Sequence, residues 1–426
     1  MFTVREMMNC LSELLRVSTI RVPAIVFFLL TALQAFFAPL DYGIYHDKTP
    51  DGLDKVVIVK LVLALLCFGC GVWGVFSFSS VRSFLGSIWG MLFAALVGLM
   101  LLGATSGLAV EAVPMSLITY TYFVFVATAI HVLGFRVYSL AIVSGIAVAG
   151  IMALFLFYLV PTTGVFWESI SMTQTVARLG GIAHPNSVAR SIVLGGILSL
   201  FLFRARELPL GKFLLLFALF GYAALLAKSR TALVAGVAAA FVLYLDKWMT
   251  RAGMALAVIM LVMGLGGVFL LFATGGEDSL ASKLLGTISK SGDKSEIMTA
   301  TGRSLIWART VELVAERPLV GYGMNSATKL LREHSQSTHN AILNAALCGG
   351  LFAGLIMLMF FIRLGWDVLN SPHLGIRALS MFLFLSWITE DTVLDMFPGP
   401  ATLVWFACVA APAMTGTLRT AHCQIS

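Results

Sequence analysis

Three clusters of cationic, imidazole and amide side chains interrupt a chain that is otherwise mostly apolar. Their residue types suit two kinds of chemistry, the binding of an anion and the transfer of a proton. The clusters are Arg178–Asn186 with Arg190 just beyond it, Lys228–Thr231, and the region that runs from Arg303 and Trp307 to His339 and Asn340.

The cationic members of these clusters are candidates for holding a phosphate group. Arginine and lysine form charge-assisted hydrogen bonds to phosphate oxygens that contribute about 1.5–3 kcal/mol each. We expect Arg230 and Arg303 to stabilise negative charge that develops during a reaction. The residues predicted to bind the anion beside them are Arg178, Arg190 and Lys228. A charge at the centre of a bilayer costs about 2.5–3.5 kcal/mol on insertion scales, so these residues are expected at headgroup depth.

The strongest candidate for a general base is His339. Histidine titrates near neutral pH, and a positioned acid–base group contributes about 10²–10⁴-fold to a rate. His184 is a second candidate, but Pro185 restricts the backbone of the residue before it, which also favours a role in shaping the loop. His184, Asn340 and Trp307 are predicted to contact the substrate.

The composition requires that most of the chain lies in lipid. Of its 426 residues, 59% are hydrophobic and only 12% are charged, and the mean hydropathy is +0.95. A soluble domain with so few charges would leave its apolar surface exposed to water. The net charge of +7 therefore reflects where cations lie around the membrane, and it predicts no nucleic-acid partner.

Apolar runs predict an all-α polytopic membrane protein with about 12 transmembrane helices, because a crossing helix needs about 20 apolar residues. The apolar runs that meet this length are roughly 23–40, 56–78, 84–103, 114–134, 138–159, 186–203, 254–273, 338–361, 377–394 and 399–414. One long run, 213–245, is interrupted by Lys228-Ser229-Arg230 and is therefore split into two helices. The predicted segments are an interfacial N-terminal stretch at 1–22, helices 1–9 over 23–273, a large loop at 274–337, helices 10–12 over 338–414, and a tail at 415–426.

The distribution of charge predicts the orientation. With both termini in the cytoplasm, most Lys and Arg residues of the short loops fall inside and most Asp and Glu residues fall outside. The cations that remain outside break this rule, and they belong to the three clusters. The clusters are therefore predicted to face the outer side of the membrane.

The large loop has its own helical pattern. The spacing of apolar residues over 301–316 predicts an amphipathic helix, which Pro318 ends. Gly321 and Gly323 predict a turn, followed by a second short helix that ends near Glu333. The residues predicted to line the buried face of the first helix are Leu305, Ile306, Thr310, Leu313 and Val314.

The three clusters, in this order and topology, resemble the O-antigen ligase and polymerase superfamily of membrane glycosyltransferases. Its members have many spans, a large periplasmic loop late in the chain, an arginine before that loop and a His–Asn pair at its end. Here these features are Arg230, the 274–337 loop and His339–Asn340, and the resemblance covers residues 160–360. It implies that His339 is catalytic and that the reaction needs no metal or other cofactor.

The favoured hypothesis is an O-antigen ligase. Such an enzyme transfers a polysaccharide from undecaprenyl pyrophosphate to the lipid A–core oligosaccharide. The resemblance implies a multi-pass protein of the bacterial inner membrane, surrounded by lipid, with its site facing the periplasm and no obligate protein partner. If the acceptor hydroxyl displaces the pyrophosphate directly, the anomeric configuration inverts.

Three alternatives remain open on the sequence. A polymerase of the same superfamily would differ in its acceptor, which would be a second lipid-linked glycan. A lipid-linked glycan flippase or secondary transporter would also have about 12 spans, but the chain lacks the internal repeat typical of such transporters. An oligosaccharyltransferase that acts on protein is less favoured, because no added protein-binding domain is evident.

The acidic residues near the C-terminus are a possible metal site. Glu390, Asp391 and Asp395 follow a predicted span and offer the oxygen ligands that Mg²⁺ or Mn²⁺ prefers. Charge sorting alone already places acidic residues in outer loops. We therefore expect these carboxylates to be solvated and predict no metal site, and we expect Asp367 to be solvated in an inside loop.

Overall fold

The computed structural model describes residues 21–40, 55–108, 111–169, 175–245, 253, 303–333, 337–391, 394 and 397–422. Within these ranges the chain is mostly helical, with one pair of strands. The elements are α1 (Arg21–Phe37), α2 (Lys55–Ser77), α3 (Ser79–Leu85), α4 (Ile88–Ala104), α5 (Ala112–Leu159), α6 (Pro161–Gly164), β1 (Val165–Ser169), β2 (Thr175–Leu179), α7 (Pro185–Arg204), α8 (Leu210–Ala227), α9 (Arg230–Leu245), α10 (Arg303–Glu316), α11 (Ala327–Leu330), α12 (Ala341–Asn370), α13 (Leu374–Thr389) and α14 (Pro400–His422).

The helices are those of a polytopic membrane protein. Among the described residues, five helices are long and apolar enough to cross a membrane, and α3 with α4, bent by 60°, would make a sixth span. Four shorter helices, α1, α9, α13 and α14, are also apolar. The total of about 12 spans stays a prediction, and the predicted span 254–273 lies outside the described residues.

One glycine divides α5 into two helices. Gly134 has a φ of 70°, in the left-handed region, within an element of 48 residues. Glycine adopts such angles without the steric penalty that a Cβ would bring. The two predicted spans at 114–134 and 138–159 therefore follow each other across this break.

A second glycine breaks α12 into two helices. Gly350 has a φ of 80°. Residues 341–349 before the break are mostly buried, whereas Leu351 and Phe352 after it are exposed. The exposed apolar surface of α12 thus begins after the break. All of α12, Ala341–Asn370, is long and apolar enough to cross a membrane, and the bounds 338–361 stay a prediction.

The turn after α10 binds the backbone groups that this break frees. The N–H groups of Tyr322 and Gly323 donate to the carbonyls of Leu347 and Cys348, at 2.9 and 2.7 Å. Gly323 has a φ of 85°, and a Cβ there would lie 3.0 Å from the backbone of Ala104. Such pairing satisfies polar backbone at a helix break and fixes the segment that contains α10 to a membrane helix.

The predicted amphipathic helix is confirmed as α10, and the predicted second helix is confirmed as the shorter α11. Ile306, Thr310 and Leu313 are buried, as expected. Leu305 is 66% exposed, so its predicted place on the buried face is wrong. Each residue turns about 100° around a helix, and Leu305 lies one position away from the stripe that the other three residues form.

The all-α expectation needs one correction, because β1 and β2 form an antiparallel hairpin. Phe166 is paired with Arg178, and Trp167 with Ala177. The strands carry aromatic and β-branched residues, which favour extended backbone. Each strand has only five residues, and the hairpin occupies the predicted loop before α7.

Asp367 is also placed differently from the expectation. It lies inside α12, is 4% exposed, and both its carboxylate oxygens are 2.9 Å from Nε of Arg363. The expectation of a solvated loop residue is wrong, because α12 continues to Asn370 and brings the two side chains together across one helical turn.

Candidate active site

The three polar clusters meet at one end of the helix bundle, which we call the site end. The starts of α7 and α9, the segment before α12 and the end of α13 all lie there. The carboxylate of Glu390, the first residue after α13, joins these parts of the chain.

Glu390 is surrounded by three cationic or titratable side chains. Its Oε2 atom lies 3.6 Å from Nη1 of Arg190 and 3.6 Å from Nδ1 of His339. Its Oε1 atom lies 3.4 Å from Nη2 of Arg303. The structure therefore brings together three residues that the sequence placed in a common site, and it does so through a fourth residue that the sequence did not assign to it.

The surroundings of Glu390 determine its charge. Burial alone would raise the pKa of this carboxyl group. The contact with His339 and the positive charges of Arg190 and Arg303 outweigh that effect and lower the pKa of Glu390 to about 2. The group is 8% exposed, so the expectation of a solvated loop carboxylate is wrong, because the cations draw it into the site.

Asp391 fixes the residues immediately before His339. Its Oδ1 atom accepts a hydrogen bond from Oγ of Ser337 at 2.7 Å. Its Oδ2 atom accepts one from the backbone N–H of Thr338 at 2.8 Å and lies 3.1 Å from Oγ1 of the same residue. Asp391 is 8% exposed, so the expectation of solvation is wrong here as well.

Asn340 caps α12. Its Oδ1 atom accepts hydrogen bonds from the N–H groups of Ile342 and Leu343, both at 3.0 Å. Trp307 donates from Nε1 to the carbonyl of Thr338 at 3.0 Å. Both residues thus help to position the segment around His339, and their contact with substrate stays a prediction.

Arg178 supports the scaffold of the site. Its guanidinium donates to the Ala227 carbonyl at 2.9 Å, to Glu168 at 2.7 Å and to Asn186 at 2.8 Å. The side chain is 1% exposed. Arg178 therefore connects the hairpin to the end of α8 and the start of α7, and its predicted contact with an anion stays a prediction.

His184 lies just before α7, where its Nδ1 atom accepts a hydrogen bond from the N–H of Asn186 at 3.3 Å. Burial, followed by the charge of Arg178, lowers the pKa of His184 to about 4, although Glu390 and Glu168 act in the opposite direction. The imidazole is therefore neutral at pH 7 and a weak base. This geometry favours the loop-shaping role over proton transfer.

The second cluster lies beside a cavity at the site end. Lys228 is exposed and ends α8 with a φ of 51°, and Arg230 begins α9 half-buried. Thr231, the next residue, borders a small cavity. The other residues that line it are Asn186, Arg190, Ala232, Ser386 and Glu390. The start of α9 and the Glu390 cluster therefore border the same small cavity.

The geometry offers little to a metal ion in the part of the chain that is described. Among those residues, no group of three His, Cys, Asp or Glu side chains is placed to hold one. The oxygens of Glu390 and Asp391 face donors of the protein. Asp395, the third acidic residue considered, lies outside the described residues.

Glu390 and Asp391 are the site residues that sequence reasoning missed. A usable signal was present, because Arg178, Arg190 and Arg303 were all predicted on the outer side of the membrane. Buried charges need partners. Adjacent carboxylates at the end of a span on the same side were the available counterions.

Residues 214–358 match the family model described as O-antigen ligase. The resemblance drawn from the three clusters is therefore confirmed over these residues, which include Arg230, Arg303 and His339. A match to this family implies a membrane glycosyltransferase of ligase or polymerase type, with lipid-linked glycans as substrates. A search of curated proteins found no match. Arg190 and Glu390 lie outside the matched residues and join the site through the fold.

Proposed function

We propose that the chain is an O-antigen ligase, which moves a glycan from undecaprenyl pyrophosphate to the lipid A–core oligosaccharide at the periplasmic face of the inner membrane. The observation that carries this proposal is the cluster of His339, Arg190 and Arg303 around Glu390. It combines a base with cations at the site end of a membrane protein. The match over 214–358 supports the choice of substrates.

His339 acts as the general base. It accepts the proton of an acceptor hydroxyl while that oxygen attacks the anomeric carbon of the donor. The bond from the anomeric carbon to the pyrophosphate oxygen breaks, and the pyrophosphate leaves with the electron pair. The ionised Glu390, 3.6 Å from Nδ1, stabilises the imidazolium that forms, as a carboxylate does in other acid–base pairs.

The arginines stabilise the leaving group. Arg190 and Arg303 lie 3.6 and 3.4 Å from Glu390, longer than the about 2.7–2.9 Å of a strong charge-assisted hydrogen bond. Within the described residues, Nη1 of Arg190 makes no hydrogen bond although it is buried. Arg190 therefore keeps a donor for a phosphate oxygen, and Arg303, Arg230 and Lys228 extend the positive charge toward the lipid-borne pyrophosphate.

The mechanism uses cations of the chain where other glycosyltransferases use a metal ion. A single displacement of this kind inverts the configuration at the anomeric carbon. Asn340, Trp307, Arg178 and His184 act mainly by holding these groups in place.

The polymerase is the second candidate, because the matched family includes both activities. The same cluster would serve it, with a second lipid-linked glycan as acceptor. Deletion of the gene, followed by gel analysis of the lipopolysaccharide, separates the two. Loss of the ladder with retention of lipid-linked polymer supports the ligase, whereas core carrying one repeat unit identifies a polymerase.

Reconstitution tests the transporter alternative. Purified protein in liposomes, given donor and acceptor on one side, should form a new glycosidic bond. Movement of intact lipid-linked glycan without bond formation would contradict a transferase.

A further inference from the structure

We propose that Asp391 is a positioning residue for the transfer reaction, which holds segment 337–339 so that the imidazole of His339 stays against Glu390. The inference rests on the proposed function in one respect, the assignment of His339 as the base. The contacts that support it belong to the fold and do not depend on the substrate.

The first support is that both oxygens of Asp391 are used on the two residues before His339. Oγ of Ser337 donates at 2.7 Å, and the N–H of Thr338 donates at 2.8 Å. These donors come from the chain between α11 and α12, whereas Asp391 follows α13. The carboxylate therefore joins the end of one helix to segment 337–339, which carries the proposed base and which we call the strap.

The second support is the backbone of His339. Its φ is 52°, a left-handed conformation that residues with a Cβ rarely adopt. Such a residue persists only where its surroundings determine the conformation. The Asp391 contacts hold the strap on one side, and the Asn340 cap on α12 holds it on the other.

The third support is adjacency to Glu390. The end of α13 carries Glu390, which faces the ring of His339, and Asp391, which binds the backbone before it. Two adjacent residues just after α13 thus determine both the partner of the imidazole and the path of the chain that presents it. A shift of about 1 Å at a reacting group can lower a rate by about 10²-fold.

The experiment compares Asp391→Ala and Asp391→Asn in purified full-length protein. Asp391→Ala removes both acceptors, so kcat is expected to fall by about 10²-fold while the KM for the lipid-linked donor stays unchanged. Asp391→Asn keeps the shape, with its oxygen able to accept from Thr338 and its amide able to donate to Ser337. It is expected to retain most of the activity and the pH profile of kcat.

A measurement of thermal unfolding gives a readout that does not need activity. His339→Gly relieves the left-handed backbone and is expected to unfold at a higher temperature than His339→Ala. In the Asp391→Ala background this difference should disappear, because the strap is free to relax.

Three outcomes would overturn the proposal. The first is a wild-type kcat in Asp391→Ala. The second is an Asp391→Asn variant that is as slow as Asp391→Ala and has a shifted pH profile. The third is a difference in unfolding temperature between His339→Gly and His339→Ala that stays the same in the Asp391→Ala background. The second outcome would assign Asp391 an electrostatic role. Normal turnover in His339→Ala would instead contradict the proposed function, and the unfolding comparison would still test the strap.

Discussion

Oε2 of Glu390 lies 3.6 Å from Nδ1 of His339, although α12 and α13 separate the two residues in the sequence. The same carboxylate contacts Arg190 and Arg303. His339, Arg190 and Arg303 therefore interact electrostatically through one carboxylate, so a change in any one of them alters the charge environment of the others.

Replacement of His339 by alanine should abolish transfer. Loss of a positioned general base costs about 10²–10⁴-fold in rate, and the side chain is 23% exposed, so the fold should tolerate the change. The measurement is turnover in vitro with purified donor and acceptor. His131→Asn is the matched control, because His131 lies away from the site and pairs with Ser80. A comparable loss of turnover in both variants would argue against a specific role for His339.

Replacement of Glu390 by glutamine should lower both stability and kcat. The neutral side chain leaves Arg190 and Arg303 without their buried counter-charge, and breaking a buried ion pair costs about 3–5 kcal/mol. The imidazolium also loses its stabilising charge. Denaturant unfolding and steady-state kinetics measure the two effects.

The control for Glu390 is Glu312→Gln. Glu312 pairs with Arg309 at 2.8 Å on the exposed side of α10, where ion pairs contribute little. This variant should unfold like the wild type. Equal stability of both glutamine variants would show that Glu390 does not hold the cluster.

The stability of the protein should fall as the pH drops from about 6.5 to about 4 because of His184. The folded pKa is about 4, against an ordinary value of 6.5. Between these values the unfolded chain binds a proton that the folded protein does not, so stability rises with pH across this window. The free energy of unfolding of the wild type, measured from pH 4 to 7, should therefore increase with pH.

His184→Asn should remove most of the increase in unfolding free energy between pH 4 and pH 7. Asparagine keeps an acceptor for the N–H of Asn186, so the start of α7 remains capped. Glu390 contributes to the pH dependence that remains below about 4.5, because its folded pKa of about 2 lies below its ordinary value and its contribution to stability is lost on acidification. An identical profile in the variant would exclude His184 as the titrating group.

Arg178 and Arg303 should respond differently to substitution by glutamine. Arg178 has three hydrogen bonds to the protein and is 1% exposed, so its variant should mainly lose stability, by about 3 kcal/mol or more. Arg303 lies at 3.4 Å from Glu390, and its variant should mainly lose kcat. The reverse pattern would assign the phosphate contact to Arg178.

Chelation of divalent metal should leave transfer unchanged, because Arg190, Arg230 and Arg303 supply the positive charge. The measurement is turnover of purified protein with EDTA, followed by addition of Mg²⁺. Loss of activity that Mg²⁺ restores would contradict the proposed mechanism.

The sequence by itself determined the features that depend on neighbouring residues. The apolar runs identified a polytopic membrane protein, and the spacing over 301–316 identified α10, because hydrophobic periodicity is a local property. The residue types also predict His339 as a base and the arginines as groups that stabilise an anion, and these roles stay predictions. The match over 214–358 confirms the family resemblance.

Only the tertiary structure decided how these residues are paired. Arg178 and Arg303 look alike in sequence, but the first is enclosed by Glu168 and Asn186 and the second faces Glu390. Ion pairs between distant segments depend on how the helices pack, and no local pattern encodes that packing. For this reason the acidic residues after α13 read as solvated in the sequence, although the fold places them at the centre of the site.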